Sequence, residues 1–301
     1  KDNFSFLSLR MAKILITGGT GLVGSRLTKL LMDKNHEVAI LTRSPDAKNE
    51  YQWDIQKKTI DTKAFENTDY IIHLAGAGIA DERWTKERKK VIIDSRVESA
   101  NLLFETIKKE NINLKGFISA SGSGYYGAIT TDKIFTEIDK AGNDFLGEVC
   151  EKWENAAHQF ESLKIPVTIL RTGIVLSEKG GALDKMRLPV ISPLGSGKQY
   201  MPWIHIDDLC EMYIKAIEDN LTSIFNAVGP EHHTSTTFSK ALAKSINRPY
   251  VGICVPSFML KLLYGDMSKI LLEGSRISSK KIEQTGYSFQ YETLEKALNN
   301  L

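Results

Sequence analysis

Eight consecutive residues, Thr17-Gly18-Gly19-Thr20-Gly21-Leu22-Val23-Gly24, constrain this chain more than any other stretch. They follow a short apolar run, 13–17 (KILIT), and lead into Val23, Arg26, Leu27, Leu30 and Leu31 at helical spacing. Gly18, Gly21 and Gly24 occupy the fixed places of a G-x-x-G-x-x-G pattern. Glycines here let the backbone approach a pyrophosphate, and the last lets helix and strand pack closely. The free N–H groups and positive dipole end of the following helix then favour phosphate charge. Placed between a buried strand and an amphipathic helix, the loop is read as a dinucleotide cradle.

The rest of the chain fits that start. Apolar runs at 37–41 (EVAIL), 70–74 (YIIHL), 116–120 (GFISA) and 167–170 read as strands buried on both faces. Val91, Val97, Ala100, Phe104 and Ile107 fall near one helical face, as do Val149, Trp153, Ala156, Ala157 and Phe160. The expectation is an α/β fold: a doubly wound parallel sheet, the Rossmann arrangement. After about Ser177 a Gly- and Pro-rich stretch reads as a long loop with one helical turn. A helix at 209–217, a late strand at 224–228 and a mostly helical tail from Ser235 follow. The expected division places 11–178 and 200–228 in the dinucleotide-binding domain. A smaller cap, 179–199 and 229–301, bears on substrate. Residues 1–10 read as an N-terminal extension ahead of a native start at Met11.

Composition narrows the partners. Thirty-nine basic residues against 37 acidic ones give a net charge of +2, no footprint for nucleic acid or anionic membrane. No apolar run reaches the ~18 residues of a membrane span. Three widely spaced cysteines, Cys150, Cys210 and Cys254, read as buried free thiols of a cytoplasmic protein. His232-His233 reads as a surface pair without a third ligand, so no metal site is expected. The expected partner is a small molecule, and a homodimer stays open.

The second strand bears on which dinucleotide. An NAD site usually presents an acid about 20 residues on, to accept from the ribose 2′-hydroxyl. Here that strand ends Leu41-Thr42-Arg43-Ser44. The Arg43 guanidinium offers paired donors to a 2′-phosphate and Ser44 adds a hydroxyl, which points to NADP.

These residues resemble the extended short-chain dehydrogenase/reductases, the superfamily of nucleotide-sugar epimerases and dehydratases. TGGTGLVG is similar to its glycine loop, Trp53-Asp54-Ile55 to its adenine-contacting Asp, and 69–76 (DYIIHLAG) to its cofactor-lining strand. Trp203 through Leu209 (WIHIDDL) resembles a further segment that is mainly a helix start. Closer still is an uncharacterised epimerase-like branch with its own C-terminal domain, matched by LAGAGIADERW, SRVESANLL, SASGSGYYG, LRTGIVLSEKGGAL and PLGSGKQYMPW. The resemblance implies that Gly18, Thr20, Gly21, Leu22, Val23, Gly24, Arg43, Ser44, Asp54, Leu74, Ala75, Gly76, Ser119 and Arg171 hold NADP. It further implies that Arg83, Trp84, Lys198, Gln199 and Trp203 contact substrate.

One family feature is missing. Most members carry Tyr-x-x-x-Lys on the helix after the fifth strand, the Lys lowering the Tyr pKa for proton transfer. The stretch here is Asp144-Phe145-Leu146-Gly147-Glu148-Val149-Cys150. One register pairs Phe145 with Val149 and the other Leu146 with Cys150, and neither restores the pair. Ser95 stands where many relatives have Asn. Ser121 is the expected orienting hydroxyl, with Ser123 open by one residue. Tyr125 is the expected proton donor, unless both tyrosines simply pack the loop. The expected function is NADP-dependent hydride transfer at an alcohol or carbonyl carbon, as an oxidoreductase or epimerase-like enzyme. The alternative is an NADP(H)-binding regulatory or scaffold protein that has lost its chemistry.

Overall fold

Alternation of apolar residues in the first strand sets the architecture. In β1 (Lys13–Thr17), Ile14 and Ile16 face one hydrophobic layer and Leu15 the other. The same split recurs in β2 (Glu37–Thr42), with Val38 and Ile40 on one side and Ala39 and Leu41 opposite. A sheet buried on both faces needs helices on both. The structure, a computed structural model describing residues 11–301, supplies them.

The central sheet has eight strands in the order β11-β8-β6-β5-β1-β2-β3-β4. Its further members are β3 (Glu50–Asp54), β4 (Thr59–Ile60), β5 (Tyr70–His73), β6 (Gly116–Gly122), β8 (Val167–Thr172) and β11 (Ile224–Ala227). Every pairing is parallel except the short β3–β4 ribbon. Helices α1 (Leu22–Asp33) and α5 (Ile206–Glu218) cover one face through Leu27, Leu31, Leu209, Met212 and Tyr213. Helices α2 (Lys86–Lys109) and α3 (Phe145–His158) cover the other through Leu103, Ile107 and Ala157. This is the doubly wound sheet expected from the sequence. β1 leads to β2 on one side and β5 lies on the other, so the strand order reverses between β1 and β5. In such sheets a ligand lies outside the carboxyl ends of the strands at that reversal.

The second half adds two short parallel pairs. β9 (Ile174–Leu176) pairs with β10 (Trp203–His205), and β7 (Ile134–Phe135) with β12 (Arg276–Ile277). Helices α4 (Ala182–Met186), α6 (Ser235–Ser245), α7 (Ser257–Tyr264), α8 (Lys269–Leu272), α9 (Lys280–Glu283) and α10 (Leu294–Asn299) complete the chain. Leu176, Leu183, Trp203, Phe238, Leu242 and Leu298 form a separate core there. The expected extension, 1–10, lies outside the described residues.

Two readings need correction. The buried face of α2 is Ile92, Arg96, Ser99, Ala100, Leu103 and Ile107, whereas Val91 is exposed. Two polar residues sit on the inward face, which shifts the apparent periodicity. Among the cysteines, Cys150 and Cys210 are buried but Cys254 is only half-buried. The histidine pair is also tied down, since His232 Nε2 bonds Ile277 O and its Nδ1 accepts from Arg276 Nε.

Candidate active site

The glycine loop is shaped by contacts that exclude side chains. Gly18 adopts φ +69°, and a Cβ on it would lie 3.1 Å from Ala75 N. A Cβ on Gly24 would overlap the carbonyl oxygen of Gly18 and lie 2.6 Å from Gly19 Cα. Helix α1 therefore starts hard against the loop. Its N-cap is Gly21, with no side-chain cap and no acid in the first turn. The first N–H groups of α1 are left open where an anion can meet them, so these residues fit a bound pyrophosphate. Thr20 and Gly21 are exposed and Leu22 and Val23 half-buried along the same edge.

A buried network fixes the neighbouring strand end. Thr17 Oγ1 accepts from Leu74 N and Ala75 N at 3.2 Å and lies 2.8 Å from His73 Nδ1. With its acceptor capacity used, the Thr17 hydroxyl donates to Nδ1. His73 Nε2 faces Ser99 Oγ at 3.2 Å and Arg96 O at 3.5 Å. Burial pushes the His73 pKa down to about 4, so the ring is neutral. Gly76 is exposed on the far side of this loop.

At the adenosine side, Arg43 and Ser44 are exposed just beyond β2, and Arg43 has no ion-pair partner among the described residues. Asp54 ends β3 and accepts from Lys57 N at 3.0 Å, which lowers its pKa. It caps a turn while remaining half-exposed.

The opposite end of the cleft departs most from expectation. Ser121 is 3% exposed and donates to Glu154 Oε1 at 2.7 Å. That carboxylate also takes Arg171 Nε and a terminal nitrogen, each at 2.8 Å. Arg171, 1% exposed, further donates to Tyr126 and stacks on the Tyr125 ring at 3.3 Å. Ser121 and Arg171 are thus parts of a saturated interior network, not open groups facing cofactor. Ser119 is also fully buried, its hydroxyl on Ala120 O. The hydroxyls left at the strand end are Ser123 and Tyr125, both half-buried. Tyr126 is buried with its hydroxyl on Asn226 Oδ1 at 2.6 Å.

Of the five expected substrate residues, three are interior. Trp84 is buried, donates to Ile79 O and meets Phe145 edge-on. Gln199, 1% exposed, donates to Leu194 O and Leu271 O, pinning α8 to the loop. Trp203 fills the second core against Gly229. Each was expected in a loop over the cleft, but large or amide side chains there serve to join the two parts of the chain. Arg83 and Lys198 are exposed, with Arg83 donating to the carbonyls of Leu262 and Leu263 at the end of α7. Along α3, Phe145 and Leu146 line a small cleft with Trp84, Lys89, Asp144, Asp266 and Lys269. Cys150 is buried beneath Gly122, its thiol pushed up to about 11 by burial, which favours the neutral thiol. His205 caps α5, its Nδ1 accepting from Asp207 N, while Asp207 pairs with Arg26. Sequence reasoning missed Glu154 and Arg96. Arg96 was legible only once the inward face of α2 was known.

A parallel sheet with a side-chain-free glycine turn at its reversal defines a nucleotide-binding α/β protein of the short-chain dehydrogenase type. Residues 14–227 match the NAD dependent epimerase/dehydratase family, and the chain belongs to it. Residues 255–301 match a domain of unknown function, DUF1731. An epimerase family protein of Staphylococcus aureus is 37% identical over 302 residues, covering 97% of this chain and 99% of that protein. The crystal structure of human epimerase family protein SDR39U1 (isoform 2) with NADPH superposes with a TM-score of 0.85 at 30% identity, covering 96% of this chain and 98% of that one. A UDP-glucuronic acid 4-epimerase from Bacillus cereus shares the fold, with a TM-score of 0.75 at 20% identity over 95% of this chain and 96% of its own.

Proposed function

We propose that this chain binds NADP(H) and carries out hydride transfer at an alcohol or carbonyl carbon of a small molecule, as a reductase or epimerase-like enzyme. The observation that carries the reading is the glycine turn against an uncapped, acid-free helix start. Arg43, exposed beyond β2 and without an ion-pair partner among the described residues, supports the phosphorylated cofactor over NAD, as does the NADPH held by the human relative. When bound, the nicotinamide supplies or accepts the hydride. The chain's own residues orient it: Gly18, Gly21 and Gly24 admit the pyrophosphate, and Ala75 and Gly76 line the far wall. Tyr125 is the remaining candidate proton donor, held by the Arg171 guanidinium against its ring. Ser123 replaces Ser121 as the hydroxyl able to orient a substrate oxygen.

A second reading, cofactor binding without chemistry, is favoured by Phe145 and Val149 where the proton-transfer pair is expected. An exposed apolar surface on α7 (Phe258, Leu262 and Leu263) points the same way. Both readings expect little or no UDP-galactose epimerisation. Substrate screening with Tyr125→Phe separates them: a hydride-transfer activity that falls ~10²–10⁴-fold in the variant establishes the enzyme.

Cofactor choice is tested by calorimetric titration of NADPH and NADH at one salt concentration. Charge-assisted hydrogen bonds contribute roughly 1.5–3 kcal/mol each, so NADPH is expected to bind at least ~10-fold tighter. Arg43→Asp should erase or reverse the preference. Equal wild-type affinities, or a preference untouched by Arg43→Asp, would overturn the assignment.

A further inference from the structure

Arg96 is buried with no anion beside it among the described residues. It projects from the inward face of α2, is 9% exposed, and has no carboxylate within ion-pair distance among the described residues. One terminal nitrogen donates to two neutral acceptors, Ala77 O at 3.0 Å and Ile92 O at 2.9 Å. Nε is shielded from solvent and has no partner among the described residues. The guanidinium lies 4.7 Å above the Trp153 ring, which offsets part of its desolvation. Its titratable neighbours give no help: the Cys150 thiol is neutral, His73 is neutral, and Arg88 is a second cation.

An isolated buried charge is among the most unfavourable arrangements a chain can retain. The fold holds this one in place deliberately. A Cβ on Gly76 would sit 3.0 Å from the Arg96 guanidinium carbon, so a glycine at the strand end makes room for it. Ser95, one residue earlier, donor-matches the same loop by accepting from Ala77 N at 2.9 Å.

Position indicates what the cation meets. The dinucleotide of a doubly wound sheet crosses the reversal between β1 and β5, with its two halves on opposite sides. The glycine turn and Arg43 occupy the β1–β2 side. Arg96 lies behind the loop that follows β5, against Cys150 and Trp153 of α3. On that helix neither register provides the expected lysine.

We infer that Arg96 is the residue that holds the nicotinamide half of the dinucleotide, donating from its guanidinium to oxygen acceptors there and replacing from α2 the cation missing from α3. The inference rests on the NADP(H) reading above. It assigns Arg96 a binding role that a purely structural arginine lacks, and it explains why the chain tolerates an unpaired charge at this point.

The test uses the full chain and two ligands. NADPH carries both halves, whereas adenosine 2′,5′-bisphosphate carries the 2′-phosphate and adenosine but no nicotinamide half. Arg96→Met is expected to weaken NADPH at least ~10-fold while leaving adenosine 2′,5′-bisphosphate within about twofold. Arg96→Gln, which keeps a donor for the Ala77 and Ile92 carbonyls, carries the same expectation should the methionine variant not fold. Retained binding of the short ligand also reports that the glycine loop is intact. Unchanged NADPH affinity in a folded variant overturns the inference, and so does equal weakening of both ligands. Failure of the wild type to bind either ligand would instead sink the cofactor reading and this inference with it.

Discussion

Two arginines lie buried near the carboxyl edge of one sheet, and they are treated in opposite ways. Arg171 on β8 has a carboxylate in bidentate contact, a tyrosine hydroxyl and an aromatic ring. Arg96 on α2 has two backbone carbonyls, one ring and, among the described residues, no anion. The first arrangement is complete within the chain. It ties β6, α3 and β8 together through Ser121 and Glu154 and leaves nothing to offer a ligand. The second is incomplete, its guanidinium packed against Gly76 with Nε unpartnered among the described residues. Burial alone therefore does not distinguish structural from functional charge; the inventory of partners does.

The largest expected effect tests the complete side. Glu154→Gln leaves Arg171 buried without its counter-charge and should cost about 3–5 kcal/mol in urea unfolding. Removing both charges, as Glu154→Leu with Arg171→Met, should recover most of that loss. A single-variant cost below about 1 kcal/mol would mean that water already screens the pair.

Next in size is a pH effect on Arg96's side. Burial holds the His73 pKa near 4, against 6.5 for an unfolded histidine. The unfolded chain binds the extra proton between those values, so stability is full above about pH 6.5 and falls as pH drops toward 4. At about 1.4 kcal/mol per unit the loss is roughly 3 kcal/mol. Comparing wild type with His73→Asn across pH 7 to 4 isolates it, since the variant should show a shallower decline. Parallel curves would show that His73 titrates alike in the folded and unfolded chains, so that burial does not shift it.

Gly24→Ala asks whether Arg96's ligand arrives by the glycine turn. Its Cβ has no space against Gly18 and Gly19, so destabilisation of about 1–3 kcal/mol is expected, with NADPH binding lost. Full affinity in a folded variant would remove the turn from the binding site.

Smallest is the effect of Arg96→Met on stability without ligand. Loss of two hydrogen bonds and the Trp153 contact opposes relief of an unpaired charge, so unfolding free energy should stay within about 1 kcal/mol of wild type. A loss comparable with that of Glu154→Gln would make Arg96 as structural as Arg171 and dissolve the contrast.

Much of the framework was readable beforehand because it is local. The apolar run KILIT, a glycine turn and a period-3.6 helix specify strand, loop and helix without any distant contact. The same holds for most of α3, whose expected Val149, Trp153, Ala156 and Ala157 are all buried, although Glu154 turns inward with them. Helix α2 was misjudged because apolar periodicity assumes that charged residues face water, and Arg96 and Ser99 face inward.

The sequence by itself therefore determined the doubly wound sheet, the glycine turn at its reversal and the lack of Tyr-x-x-x-Lys, all of which depend on residues near one another in the chain. Only the tertiary structure decided which polar groups are spent and which are free. Ser121 and Arg171 looked like site residues until Glu154, 33 and 17 residues away respectively, proved to satisfy them. Trp203 looked like a substrate contact until the second core enclosed it, and Gln199 until the Leu194 and Leu271 carbonyls took its amide. Arg96 looked like an ordinary helix residue until its surroundings, among the described residues, were seen to hold no anion. The physical reason is common to all of these. Whether a polar group is available depends on desolvation and on partners supplied by distant segments, and neither is written in its own neighbourhood of the chain.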